Sequence, residues 1–96
     1  MKAKIHEQGP DTVLACADEE LIGSTLVDGD IEFTISKKFY DGKRINETQL
    51  SRLLEQHCNI NLVGQQTVRV AIEKKIIDAG DVRSIQGIPH VQIFQF

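Results

Sequence analysis

Hydrophobic and polar residues change period twice along the chain, and each change marks a change of element. Ala3, Ile5 and Glu7 alternate with Lys4 and His6, which is the two-residue repeat of a strand. Gln8-Gly9-Pro10-Asp11 carries strong turn chemistry. Thr12-Val13-Leu14-Ala15-Cys16-Ala17 follows, apolar on both faces as a central strand is. The two runs predict a hairpin. Positions 18–30, DEELIGSTLVDGD, are acidic and glycine-containing and predict a loop with one short helical turn. Over 31–36, Ile31, Phe33 and Ile35 share one face while Glu32, Thr34 and Ser36 share the other. That run predicts a half-buried antiparallel strand.

The period then lengthens. Asn46 has the chemistry of an N-cap, with Gln49 three residues later as in a capping box, and Ile45 and Leu50 are spaced as a hydrophobic staple. Leu50, Leu53, Leu54 and Cys58 fall at i, i+3, i+4 and i+8, one stripe of a helix. A second helix is predicted from Gly64 to Ile77 on the spacing of Val68, Ala71, Ile72 and Ile76. Gly80 is its expected stop, and Lys74 and Lys75 suit its C-terminal dipole. After Gly80 the two-residue period returns. It predicts a strand over 82–85, a turn at Gly87-Ile88-Pro89 and a last strand over 91–96.

The order β-β-β-α-α-β-β predicts an α+β two-layer sandwich, one domain over residues 1–96. Its antiparallel or mixed sheet of about five strands is covered by two amphipathic helices. Val91 and Ile93 are expected to face the helices. Phe94 shares a face with Gln92, which calls for a bulge, a partly covered second face or a dimer contact. Terminal strands are often edges, and edges pair, so the chain is expected to work as a monomer or as a homodimer through this strand.

Composition adds little to this fold and removes several functions. Aromatics are scarce, with four Phe, one Tyr and no Trp, so the core is aliphatic. A net charge of −3 argues against nucleic-acid binding over the whole surface but leaves room for a local basic patch. Met1-Lys2-Ala3-Lys4-Ile5-His6 turns polar at once, unlike a signal peptide, and no run approaches the ~18 apolar residues of a membrane span. Cys16 and Cys58 stand alone, which fits reduced, semi-buried thiols in the cytoplasm. His6, His57, His90 and the cysteines lack the paired spacings of zinc sites, and Asp28-Gly29-Asp30 with Glu32 departs from a calcium loop. No metal or cofactor is expected.

Three segments carry candidate chemistry. His90 follows Pro89, whose ring restrains the turn, and an imidazole held there could act as acid, base or ligand. Cys16 could join it as a nucleophile with Asp18, although the acidic run Asp18-Glu19-Glu20 raises rather than lowers a thiol pKa. Asn61 or Asn59 could cap the second helix, with Gly64 in its first turn, which would offer free N–H groups to an anion. SKKFYDGKRIN is the compositional anomaly: Lys37, Lys38, Lys43 and Arg44 are four of eleven basic residues within eight positions. Phe39 and Tyr40 lie among them, and cations beside aromatics can neutralise phosphates and stack bases.

Taken together, DEELIGSTL, FYDGKRI, NINLVGQQTVRVAIEKKII and GIPHVQIFQF resemble a family of small archaeal proteins catalogued as domain of unknown function number four-two-four. The resemblance runs from about Ile5 to Phe96, and its most distinctive pieces are Asn61-Leu62-Val63-Gly64 and Gly87-Ile88-Pro89-His90. It implies an archaeal cytoplasmic protein without an established reaction or cofactor, in a translation-related genetic setting. Cys16 is displaced by one residue from the family's acidic run. The preferred expectation is a non-catalytic module that contacts RNA or a translation-associated protein. Lys37, Lys38, Tyr40, Lys43 and Arg44 would supply contacts, with Asn61, Gly64 and His90 as secondary sites. The alternative is a small hydrolase or transferase using His90 near Cys16 or near the Asn61–Gly64 segment.

Overall fold

The structure, a computed structural model, describes residues 1–95. Phe96, the last residue of the expected terminal strand, lies outside the described residues. β1 (Lys2–Gln8) and β2 (Asp11–Ala17) form the expected hairpin, with Ala3 opposite Cys16 and Ile5 opposite Leu14. A 3-10 turn at Glu19–Leu21 leads to β3 (Thr25–Asp28) and β4 (Ile31–Thr34), which pair only with each other. Then come α1 (Lys37–Tyr40), β5 (Lys43–Arg44), α2 (Glu47–Gln56), β6 (Asn59–Val63) and α3 (Gln65–Glu73). β7 (Arg83–Ile85) and β8 (Ile88–Phe94) close the chain.

The α+β class and the mixed sheet are as expected. The main sheet has six strands in the order β5-β1-β2-β6-β8-β7, with only the β2–β6 pair parallel. Between the two helices lies a strand that the periodicity did not predict, and it occupies the sheet centre. β6 is five residues long and places asparagine at alternate positions, so its sequence resembled helix-capping chemistry. Tertiary burial decides instead: Ile60, Leu62 and Val63 are fully buried between β2 and β8.

A second correction concerns the layers. Leu14 and Cys16 of β2 join Leu50, Leu54, Leu62, Val68, Val91 and Ile93 under α2 and α3. Ala15 and Ala17 point the other way, into a smaller core with Leu26, Ile35, Tyr40, Val63 and Ile85. The β3–β4 hairpin and α1 cover that second face. This is why β2 is apolar at both parities, and the predicted loop at 18–30 holds half of the covering hairpin. Gln86 ties that hairpin down: its Oε1 accepts from Val27 N–H at 2.7 Å, and its own N–H donates to Asp28 Oδ2 at 2.8 Å.

The helix ends follow local chemistry in one case and tertiary contact in the other. The Asn46 capping box forms as predicted, with Gln49 N–H donating to Asn46 Oδ1 at 2.8 Å and Asn46 N–H to Gln49 Oε1 at 2.9 Å. α3 stops at Glu73, before the expected Ile77, where Lys75 adopts a left-handed φ of 62°. Cys58 falls after α2 and is exposed rather than on the helix stripe.

The terminal strand has a paired strand on both sides only at His90, and over Val91–Phe94 it has β6 on one side and no strand on the other among the described residues. β8 pairs with β6 along Val63–Asn59 and with β7 over Ile88–His90. The turn between β7 and β8 is Gln86-Gly87, both at positive φ (53° and 77°) as a tight primed hairpin turn requires. Pro89 and His90 are therefore strand residues, not turn residues. Phe94 is 59% exposed because the second face is covered only in part. Past the outer hairpin, Phe94 lines a cleft of about 440 Å³ with Gln8, Val13 and Asn59.

Candidate functional site

Register brings the basic segment against the start of β1. Lys2 lies opposite Arg44 and Ala3 opposite Lys43, so β5 is the outer strand and the lysines of β1 and α1 converge on one edge. Gly42 makes this approach achievable, since a Cβ there would land on the Ala3 carbonyl. Ser36 caps α1 by accepting from Phe39 N–H at 3.2 Å. Lys4 Nζ donates to the Lys38 carbonyl at 2.9 Å, which fixes α1 over β1.

One of the expected contacts, Arg44, and the neighbouring Lys2 are already engaged within the chain. Arg44 makes a forked pair with Glu19, Nε to Oε1 at 2.8 Å and Nη2 to Oε2 at 3.0 Å. Its hydrogen bonds hold the Glu19 carboxyl below the usual carboxylate range. Lys2 reaches Asp41 at 2.8 Å, and this bond, with the fields of Lys37 and Lys4, likewise lowers Asp41. Lys37, Lys38 and Lys43 are exposed and have no ion-pair partner among the described residues. The free cations of this edge are therefore lysines, not Arg44.

Tyr40 does not contribute to the surface expected of it. It is 2% exposed, and its hydroxyl donates to Asn61 Oδ1 at 2.6 Å. Phe39 is covered too: the His6 ring stacks on it at 4.6 Å, and His6 Nε2 bonds the Phe39 carbonyl at 2.8 Å. The aromatics of this segment serve packing, so no free stacking platform accompanies the lysines.

His90 and Asn61 do meet, as one sequence alternative required. His90 Nε2 lies 3.2 Å from Asn61 Oδ1, the same oxygen that accepts from Tyr40, and the Phe33 ring packs on the imidazole at 4.8 Å. An amide oxygen between two donors stitches the outer layer to the sheet. It lacks the charge by which a carboxylate raises imidazole basicity. Burial, helped by the nearby Arg83 charge, lowers the His90 pKa from its ordinary 6.5. The folded state thus favours neutral His90, and stability is lost as pH falls from about 6.5 through the folded value. His90→Gln is expected to flatten the pH dependence of the urea midpoint between pH 8 and 5. Identical profiles for the two proteins would dissociate His90 from this loss.

Cys16 belongs to a different place. It packs under the helices, whereas His90 sits on the opposite sheet face. Burial pushes its thiol up to about 12, so it stays protonated. A Cys16–His90–Asp18 set is not assembled, because alternation along β2 and β8 sends the two side chains apart.

Nor is the start of α3 open to an outside anion. Asp18, 4% exposed, accepts from Gln66 N–H at 3.0 Å, Thr67 N–H at 2.8 Å and the Thr67 hydroxyl at 2.7 Å. The chain supplies its own anion to the positive helix end. Gly64, at φ 111°, is where a Cβ would collide with the Asp18 side chain. Asn61 is a mid-strand residue and plays no capping part. Asp18 was missed as a cap because it lies 46 positions before Gly64. Only its place directly after the apolar run of β2 hinted at a buried carboxylate.

These elements define a small α+β domain with a mixed sheet covered on both faces and a cationic edge at β1, β5 and α1. Among the described residues no helix is long and apolar enough to cross a membrane. The chain belongs to the family described as Protein of unknown function (DUF424), which it matches over residues 6–96. It is similar to the crystal structure of an uncharacterized conserved protein from Methanopyrus kandleri, with 26% sequence identity and a TM-score of 0.82. That match covers 99% of this chain and 92% of the other. No curated protein matches the chain.

Proposed function

We propose that this protein is a non-catalytic cytoplasmic module that binds single-stranded RNA, in a translation-related role, through its cationic edge. The observation that carries the reading is the gathering of exposed Lys37, Lys38 and Lys43 beside Lys4 on one edge of an otherwise acidic chain. Phosphates are recognised there by charge rather than by stacking, because Phe39 and Tyr40 are occupied in packing. Binding is accordingly sequence-tolerant and salt-sensitive.

The test is fluorescence anisotropy with a labelled uridine oligoribonucleotide across a salt series. Replacing Lys37, Lys38 and Lys43 together by alanine is expected to make the log–log salt slope shallower by about 2, since each single-strand phosphate contact contributes about 0.7. Affinity at low salt should fall at least about tenfold. An unchanged slope in the triple variant would remove this edge from any RNA contact. Arg44→Ala is the informative control: its pairing with Glu19 predicts a smaller loss than any of the three lysines gives.

A further inference from the structure

The same edge has a second feature that RNA binding does not use. β5 covers only Lys2 and Ala3, because upstream of Lys43 the chain leaves the sheet edge to form α1. β1 continues to Gln8, so among the described residues no strand lies beside Lys4–Gln8 on the outer side. The orientation of its backbone follows from one bond. Ile45 N–H donates to the Met1 carbonyl at 3.0 Å, so the odd residues of β1 direct their N–H and C=O groups outward. Ala3 meets β5. Ile5 and Glu7 present theirs to the open edge.

Beside this edge, on the helix-covered side, runs a groove of about 510 Å³ between β1 and α2. Ile5, Ile45 and Leu53 supply its apolar floor, and Ile5 remains 47% exposed there. Lys43 and Arg52 stand at its rim, and no carboxylate lines it. A free strand edge beside an exposed isoleucine is an arrangement that folded chains usually cover or blunt.

We propose that this groove is a docking site for an extended acidic segment of a partner polypeptide, which adds to the sheet as a strand alongside Ile5–Gln8. The partner's main chain pairs with the outward groups of Ile5 and Glu7. Its alternate side chains place apolar groups against Ile5 and Leu53 and carboxylates near Lys43 and Arg52. Charge complementarity selects the acidic polypeptide over a second copy of this chain, whose own β1 carries two lysines against one glutamate. Lys37 and Lys38, on the α1 side of the edge, are left for phosphate contact, and Lys43 is the one cation that the peptide and the RNA share. The protein would then hold a polypeptide and an RNA on two sides of one strand.

A capped peptide with valine, isoleucine and glutamate at every second position, the positions that face the groove, and threonine between them is the probe, read by anisotropy and by amide exchange. Binding is expected to slow exchange of the Ile5 and Glu7 amides at least fivefold while leaving those of Lys4 and His6, already bonded to β2, unchanged. Ile5→Lys discriminates sharply, because it adds a cation while removing the apolar contact. Strand addition predicts at least a tenfold loss of peptide affinity in this variant, with uridine-oligonucleotide affinity equal or higher. Arg52→Glu, on the exposed side of α2, is expected to weaken the peptide by a similar factor and serves if Ile5→Lys lowers stability. Three results would overturn the proposal. The first is unaltered Ile5 and Glu7 exchange at saturating peptide, and the second is peptide affinity in Ile5→Lys at or above wild type. The third is a dimer by light scattering that Ile5→Lys converts to monomer, which would make a second copy the occupant.

Discussion

Replacing Asp18 by alanine is expected to destabilise the protein by about 3 kcal/mol, the cost of removing a buried charged acceptor that also caps a helix. Three donors converge on this carboxylate, two backbone N–H groups of α3 and the Thr67 hydroxyl. Thr67 is fully buried, so its N–H and hydroxyl do not regain water when the carboxylate goes. With a urea m-value near 1 kcal/mol/M, the midpoint falls by about 2–3 M. Asp18→Asn keeps the shape and one acceptor oxygen, and costs about half as much. Gly64→Ala is expected to cost about 3 kcal/mol by a separate route, through a φ of 111° and a collision with the Asp18 side chain. Combined with Asp18→Gly, the collision disappears and only the backbone strain remains. The double variant should then be more stable than the sum of the singles by about 1–2 kcal/mol. Strict additivity would mean that the two residues do not act as one cap.

Tyr40→Ala is the second large effect, expected at about 4 kcal/mol. The ring is the largest side chain in the smaller core and anchors α1 against Ala15, Ala17 and Val63. Tyr40→Phe keeps the ring and removes only the bond to Asn61, and about 1 kcal/mol is expected. His90 still donates to the same oxygen in that variant, so the acceptor is not orphaned. Equal losses for the two substitutions would show that the hydroxyl, not the ring, holds the outer layer in place. The comparison also separates packing from binding, since Tyr40→Phe should leave the RNA salt slope unchanged.

Much of the architecture was legible because it rests on local physics. The Asn46–Gln49 box needs only residues three apart, and its reciprocal bonds form as the pattern predicts. The β1–β2 hairpin follows from turn chemistry and alternation. Both faces of β2 are buried, which its apolar run announced. β6 was not legible, since five residues carrying two asparagines give neither a clear period nor high strand propensity. Its strand state comes from two neighbours it could not name, β2 on one side and β8 on the other.

The candidate site divides along the same line. The concentration of lysines at 37–44 is a property of the chain, and the fold carries that segment to the sheet edge. Exposure within it is another matter, because α1 turns Tyr40 inward while β5 presents Arg44 to Glu19. His90 was marked by its proline, yet its pairing with Asn61 depends on two strands brought together at the sheet centre.

By itself, the amino-acid sequence determined where the period of burial changes, which residues cap α2 and where cations accumulate, since each depends on neighbours a few positions apart. Only the tertiary structure decided that Cys16 and His90 face opposite sides, that Asp18 fills the α3 terminus and that β1 keeps an open flank. Those outcomes turn on contacts between residues tens of positions apart. There the register of the strands, rather than any local preference, sets which groups meet.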